Sequence, residues 1–335
     1  MPTNVPPQYR EAEDRFRQAR TVQAKVAALQ EMLAIMPKHK GTDHLKAQLR
    51  SRLSKLMSEL EGASSKGPSS GRTEPFSMPK EGGGRATLIG PTNTGKSLML
   101  NRSTGARSRV GAYELSTQEP VPGMLSYEDV RIQFVDTPPI SNPSTQGRLY
   151  GLLRNTDVFV VVVDLSMDAV SQADDVFTAL GEWNFSMLGR DGWPANRNEW
   201  LDKPTIIVGN KADIPGALDQ FEYLEGAFGD RYPVIMASAE EEVGFDEIAG
   251  EIFEALKVIR VYTKSPRVKV EDYAPTEPLV LPIGATVIEA ATQLHKDLAH
   301  GLRYAVLWGD SGKFDGQHVG RSHELTDRDI IELHT

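Results

Sequence analysis

The sequence contains no cysteine, which excludes a disulfide framework, a cysteine-ligated zinc site and thiolate catalysis. Long apolar runs are also missing. The longest, Val158 to Val163, falls far short of the roughly 20 residues that a membrane-crossing helix needs. Residues 1–10 lack the basic-then-apolar layout of a secretory leader. Together these absences lead us to expect a soluble, cytoplasmic protein with no membrane partner.

The chain has 335 residues, 39% of them apolar and 25% charged, enough for about two domains with a real core and a small appendage. Its charge is unevenly divided. Residues 1–66 carry 12 basic and 7 acidic side chains, a net of +5, while 67–261 are net −11 and 262–335 are net −3. A basic arm on an acidic body suits contact of the arm, and not of the body, with a polyanion such as RNA. Within the arm, Val22, Val26, Leu29, Leu33 and Met36 recur at helical spacing up to Pro37. Beyond Gly41, Leu45, Leu49, Leu53, Leu56 and Leu60 repeat the stripe. The pattern predicts a helical hairpin over 1–61, with Lys46, Arg50, Arg52 and Lys55 on the other face of its second helix. Residues 62–84, dominated by Gly, Ser and Pro, read as a flexible linker.

From 85 to 260, apolar runs at Ala86–Ile89, Ile132–Val135, Val158–Val163, Thr205–Val208 and Val234–Met236 alternate with helical patterns near 95–104, 145–155, 168–182, 216–228 and 244–257. This is the signature of an α/β domain, a mostly parallel sheet with helices on both faces. The stretch 183–203 interrupts the rhythm and holds Trp183, Trp193 and Trp200, which suits an excursion packed by its own aromatics. Residues 261–335 form a further module. Extended patches at 258–263, 278–283 and 303–308, one helix over Thr286–Ala299 and a last strand Asp329–His334 predict a small mixed sheet.

Two motifs carry chemistry. Gly90-Pro91-Thr92-Asn93-Thr94-Gly95-Lys96-Ser97 fits the phosphate-loop pattern, with a strand before it and a helix after it, and Leu98 is counted with the loop as a nucleotide-binding position. Such a loop wraps backbone N–H groups around phosphates, its lysine neutralises the terminal two, and its hydroxyl residue ligates Mg²⁺. Asp136, at the end of a strand, sits where a carboxylate would hold the Mg²⁺ water shell. The second motif, Asn210-Lys211-Ala212-Asp213, follows another strand. Asp213 offers two acceptors to the N1–H and exocyclic amine of guanine, groups that adenine lacks. Asn210 is expected on the base's other edge and the Lys211 stem on its face, while Ser238 and Ala239 offer N–H groups to guanine O6. Adenine would leave a buried carboxylate unpaired, which is how such a site rejects it.

With these residues assembled, the chain resembles an Obg-type P-loop GTPase of the developmentally regulated GTP-binding (DRG) family, over nearly its whole length. Residues 37–50, PKHKGTDHLKAQLR, are similar to that family's basic helical hairpin. Residues 111–123, GAYELSTQEPVPG, resemble its first switch, which makes Thr117 the Mg²⁺-sensing threonine. Leu307-Trp308-Gly309 and 319–330, VGRSHELTDRDI, resemble a TGS domain of β-grasp fold. The resemblance implies GTP as substrate, Mg²⁺ as cofactor, and ribosomes or a translation-linked regulatory protein as partners. Three departures stand out. The switch glycine of Asp-x-x-Gly is replaced in Asp136-Thr137-Pro138-Pro139, the insertion before the guanine-reading strand shrinks to 183–203, and Glu119-Pro120 replaces small polar residues in the first switch.

The expected activity is hydrolysis of GTP to GDP and phosphate. Ile140 stands where many small GTPases carry a water-orienting Gln, so unaided turnover is expected at about 10⁻⁴ to 10⁻² s⁻¹. Asn93 is either a K⁺ ligand that accelerates the reaction or a turn residue. Because proline has no N–H, Pro139 also raises the alternative of a nucleotide-binding scaffold with little hydrolysis. The pairs His318/His323 and His295/His300 mimic a zinc half-site, but without cysteine they read as surface or packing histidines.

Overall fold

A computed structural model describes residues 75–104, 119–142, 145–193, 201–266, 273 and 277–335, together with Arg15, Phe16 and Met32. Apart from those three positions the expected hairpin over 1–61 lies outside the described residues, as do 62–74, Thr117 and Trp200.

In chain order the first body contains β1 (Arg85–Ile89), α1 (Lys96–Thr104), β2 (Val121–Tyr127), β3 (Val130–Asp136), α2 (Gln146–Arg154), β4 (Val158–Asp164), α3 (Ala169–Glu182), β5 (Ser186–Leu188), β6 (Asp202–Asn210), α4 (Ala217–Phe228), β7 (Val234–Met236) and α5 (Phe245–Leu256). Its seven-stranded sheet runs β2-β3-β1-β4-β6-β5, and β7 also pairs with β6. Every pairing is parallel except β2 with β3. The central strand β4 shows why both faces are covered: it is a buried run of Val and Phe, whose side chains alternate between faces. Val158, Val160 and Val162 join one apolar cluster with Met99 and Leu100 of α1 and Ile248 and Ile252 of α5. Phe159, Val161 and Val163 join the other with Leu149 of α2, Val176 and Leu180 of α3 and Leu224 of α4. At the start of α3, the Asp168 carboxylate caps the Ser171 N–H at 3.0 Å.

Two expectations need correction here. The linker was expected to extend to 84, but its last ten residues are part of the body. Phe76 is buried in the apolar cluster under α2, with the Arg148 guanidinium 4.7 Å from its ring centre. Lys80 pairs with Asp157 at 2.6 Å, Arg85 donates to Met78 O at 2.8 Å, and Gly83 N donates to Arg131 O at 2.8 Å. Glycine-rich composition favours flexibility, but the apolar side chains of Phe76 and Met78 and the backbone bonds of Gly83 and Gly84 to β3 outweigh it. Strand β2 was also not foreseen, because Pro122 and Gly123 mask its pattern. It lies at the sheet edge, where both residues are tolerated. In the excursion, β5 adds a short strand beside the start of β6, and Trp193 is buried, donating to Leu188 O at 3.1 Å.

The second body contains β8 (Val258–Thr263), β9 (Leu279–Pro282), α6 (Val287–Leu294), α7 (Lys296–Gly301), β10 (Tyr304–Trp308), β11 (Gln317–Val319) and β12 (Asp329–His334). Its five strands run β11-β10-β12-β8-β9. Val261, Ala305, Leu307 and Ile331 of the sheet pack against Val287, Ala290 and Ala291 of α6. The expected single helix is broken at His295, whose extended backbone (φ −166°, ψ 137°) ends α6 and caps α7. The division expected between 260 and 261 falls inside β8. All of that strand pairs with β9 and β12, so the second sheet starts at Val258, with Lys257 alone between it and the end of α5.

Arg260 of β8 ties the two bodies together. Its buried guanidinium donates to Asp327 within its own body and to Glu128 and Asp129 in the turn between β2 and β3. Tyr262 also donates to Asp129, and Arg328 donates to Glu128 at 2.9 Å. Among the described residues no helix is long and apolar enough to cross a membrane.

Candidate nucleotide site

The C-terminal ends of β1, β3, β4, β6 and β7 lie along one edge of the sheet, the position where open α/β sheets bind ligands. The phosphate loop leaves β1 at Gly90 and enters α1 at Lys96. Two glycines are required by contact. A side chain at Gly90 would place its Cβ 2.2 Å from Val162 O; at Gly95, where φ is +90°, it would lie 2.2 Å from Asn210 Nδ2. Asn93 is exposed and adopts φ 63°, a left-handed conformation that Asn tolerates. Thr94 is buried, with its hydroxyl on Pro91 O at 3.3 Å, while Thr92 is exposed. Leu98 packs against the core on the α1 side.

Lys96 curls onto its own loop: Nζ donates to Gly90 O at 3.0 Å and Pro91 O at 2.5 Å. Burial pulls its pKa down to about 8, against the opposing pull of Asp136. The Ser97 hydroxyl donates to Asp136 Oδ2 at 2.5 Å. A hydroxyl and a carboxylate meeting at the loop are hard oxygen donors, which suit Mg²⁺. Beyond Asp136, Thr137 bonds back to Leu88 O at 2.6 Å. Pro138, Pro139 and Ile140 are all buried, and Pro139 O accepts from Asn142 N at 3.0 Å. Ile140 lies in the apolar cluster beside α2.

At the other end of the site, Asp213 Oδ1 accepts from Ser238 Oγ at 2.5 Å. Asn210 is held inside the protein, one Nδ2 hydrogen donating to Thr94 O at 2.8 Å and Oδ1 accepting from Ala239 N at 3.0 Å; the second Nδ2 hydrogen is the one its expected role at the base would use. Asn210 is 1% exposed and acts as a strut between the phosphate loop and the loop after β7. Ser238 N also has a partner, Val243 O at 3.1 Å. The two N–H groups expected to face guanine O6 are therefore held by Asn210 and Val243. Lys211 pairs with Asp164, a buried carboxylate at the end of β4 that motif reading did not pick out. Its one sequence signal is a lone Asp closing an apolar strand.

Elsewhere, His318 stacks on Tyr304 with ring centres 4.7 Å apart, and His323 Nε2 lies 3.1 Å from Ser311 Oγ. Among the described residues no cluster of His, Asp and Glu could hold a metal.

Comparison with known proteins fits this site. The family model described as 50S ribosome-binding GTPase matches residues 85–211, and the TGS domain model matches 259–335. Developmentally-regulated GTP-binding protein 1 of Xenopus laevis is 28% identical, over 92% of this chain and 98% of its own. Developmentally-regulated G-protein 3 of Arabidopsis thaliana is 27% identical, over 93% and 98%. A GTP-binding protein of Methanocaldococcus jannaschii is 27% identical, over 93% and 92%. The crystal structure of a GTP-binding protein from Pyrococcus horikoshii OT3 superposes with a TM-score of 0.51 at 18% identity, covering 75% of this chain and 99% of that one, which shows a shared fold. The Xenopus and Arabidopsis relatives bear the developmentally regulated name, which replaces the broader Obg-type label. The chain is a GTP-binding, GTP-hydrolysing protein with a GTPase domain and a TGS domain, and over nearly its whole length it is similar to the developmentally regulated GTP-binding proteins.

Proposed function

We propose that this chain is a Mg²⁺-dependent GTPase of slow unaided turnover that works in the cytoplasm on ribosomes or another RNA-bearing translation partner. The observation that carries the reading is the meeting of Lys96, Ser97 and Asp136 at one end of the strand edge, with the Asp213–Ser238 pair at the other. In this reading the loop 90–97 grips the phosphates and Lys96 turns from its own carbonyls to the terminal two. Ser97 and Thr117 ligate Mg²⁺, and Asp136 holds its water shell. The bound ion neutralises charge on the phosphate oxygens. Asp213 recognises guanine, with Lys211 along the base and Ser238 fixing the aspartate. Asn210 contributes by bracing the loop and Ala239.

Slow turnover rests on Ile140, which is buried and has no group to orient water. Acceleration then requires a partner, or K⁺ at Asn93. Ribosome contact rests on the basic 1–61 and on the match to the 50S ribosome-binding GTPase family; the TGS domain is proposed as a second contact. A specific observation also favours a damped switch: Pro139 is buried and cannot donate to a γ-phosphate.

Single-turnover GTP hydrolysis, with and without ribosomes and in KCl or NaCl, tests these points. Stimulation by ribosomes is expected, and no cleavage in any condition would leave a scaffold. Equal rates in the two salts would remove the potassium role. Ribosome binding should weaken as salt rises, through counterion release, and deletion of 1–61 should abolish it.

A further inference from the structure

Strands β4 and β6 are parallel neighbours, with Asp164 in register with Asn210. The carboxylate that ends β4 therefore stands beside the first residue after β6, Lys211. Asp164 is 5% exposed and is fixed on every side. Its Oδ1 accepts from Ser166 N at 2.9 Å and Ser166 Oγ at 2.6 Å. Gln172 grips its peptide, with Oε1 accepting from Asp164 N and Nε2 donating to Asp164 O, both at 3.0 Å. The next residue is tied to β6 through Leu165 N and Asn210 O at 2.9 Å. The remaining oxygen, Oδ2, accepts from Lys211 Nζ. Burial alone would push the Asp164 carboxyl up, but hydrogen bonds from Lys211 and Ser166 hold it below the usual carboxylate range. Lys211 itself has φ 70° and a side chain 30% exposed, so its stem borders solvent while its ammonium is held.

We propose that Asp164 is a positioning residue for nucleotide binding: it anchors the Lys211 ammonium so that the lysine's methylene stem is stretched into a fixed wall for the face of the purine. This rests on the reading of Asn210 to Asp213 as the base site. A freely rotating lysine would lose side-chain entropy each time a nucleotide bound, and the anchor removes that cost beforehand. The wall touches the ring face, which guanine and hypoxanthine share. It therefore adds affinity without choosing between bases, a task left to Asp213.

The test is a double-mutant cycle on Kd for GDP and IDP with Mg²⁺. Asp164→Asn keeps one acceptor oxygen for Ser166 and replaces the oxygen that holds Lys211 by an uncharged NH2. It should weaken both nucleotides about tenfold with their ratio unchanged, an effect of about 1.4 kcal/mol. In a Lys211→Ala background the same substitution should change Kd less than twofold. An equal loss in both backgrounds, or a shifted GDP-to-IDP ratio, overturns the proposal. If Asp164→Asn does not fold, Lys211→Met is read instead, since it keeps an unbranched stem without the ammonium. Tenfold weakening of both nucleotides supports the anchor, and unchanged affinity overturns it. Failure of the base site itself would appear separately, as Asp213→Asn leaving GDP affinity untouched.

Discussion

Raising the pH from 7 to 9 should weaken GDP binding about tenfold, and the cause is one side chain. Lys96 is buried on Gly90 O and Pro91 O, and its pKa falls from the ordinary 10.5 to about 8. A group with that pKa is about nine-tenths protonated at pH 7 and about one-tenth at pH 9. Phosphate oxygens select the ammonium, so affinity follows the protonated fraction of the free protein, a loss of about 1.4 kcal/mol over the two units. Near pH 8, binding should draw about half a proton from the buffer. Calorimetry with GDP and saturating Mg²⁺, in two buffers of different ionisation enthalpy, measures both quantities. The sign for folding is opposite. Between about pH 8 and 10.5 the unfolded chain binds more protons at this site than the native one, so the Lys96 contribution raises the stability of the ligand-free chain as pH climbs. Lys96→Met should flatten the binding profile. The same Kd at pH 7 and 9, or an equally steep profile in Lys96→Met, would refute the assignment.

Two further predictions concern the frame around the site. Arg260→Ala removes the buried cation shared by Glu128, Asp129 and Asp327, whose carboxylates stay 38–46% exposed and so can be rehydrated; unfolding by urea should show a loss of about 1.5 kcal/mol, that of charge-assisted hydrogen bonds. A change below about 0.5 kcal/mol would mean that the cluster does not hold the two bodies together. Phe76→Ala should cost about 3 kcal/mol, because the ring is buried under α2 in the cluster that holds Ile140. A negligible change in the urea midpoint would restore 75–84 to the linker.

What could be read from the sequence was what is local. The phosphate loop and the Asn210–Asp213 run each lie within a few residues, and their chemistry is tied to residue type, so both were found with the strands that carry them. β4 was legible because a run of Val and Phe has no other soluble home than a strand covered on both faces. The missing pieces depend on partners distant in sequence. Asp164 meets Lys211 only through the register of β4 and β6, and Arg260 meets Glu128 only after two bodies pack. The bracing bonds of Asn210 to Thr94 O and Ala239 N were likewise invisible in the sequence, because they join the phosphate loop to the loop after β7. Composition misled at 75–84, where Phe76 outweighs its glycine-rich surroundings, and at β2, where Pro122 and Gly123 conceal an edge strand.

Titration calorimetry of purified wild-type and Asp213→Asn protein with the diphosphates of guanosine, adenosine and xanthosine tests the central claim most directly. Wild type should prefer GDP over ADP by on the order of a thousandfold or more, and Asp213→Asn should transfer that preference to XDP. Comparable heats for GDP and ADP, or an Asp213→Asn protein that still prefers GDP, would contradict the account.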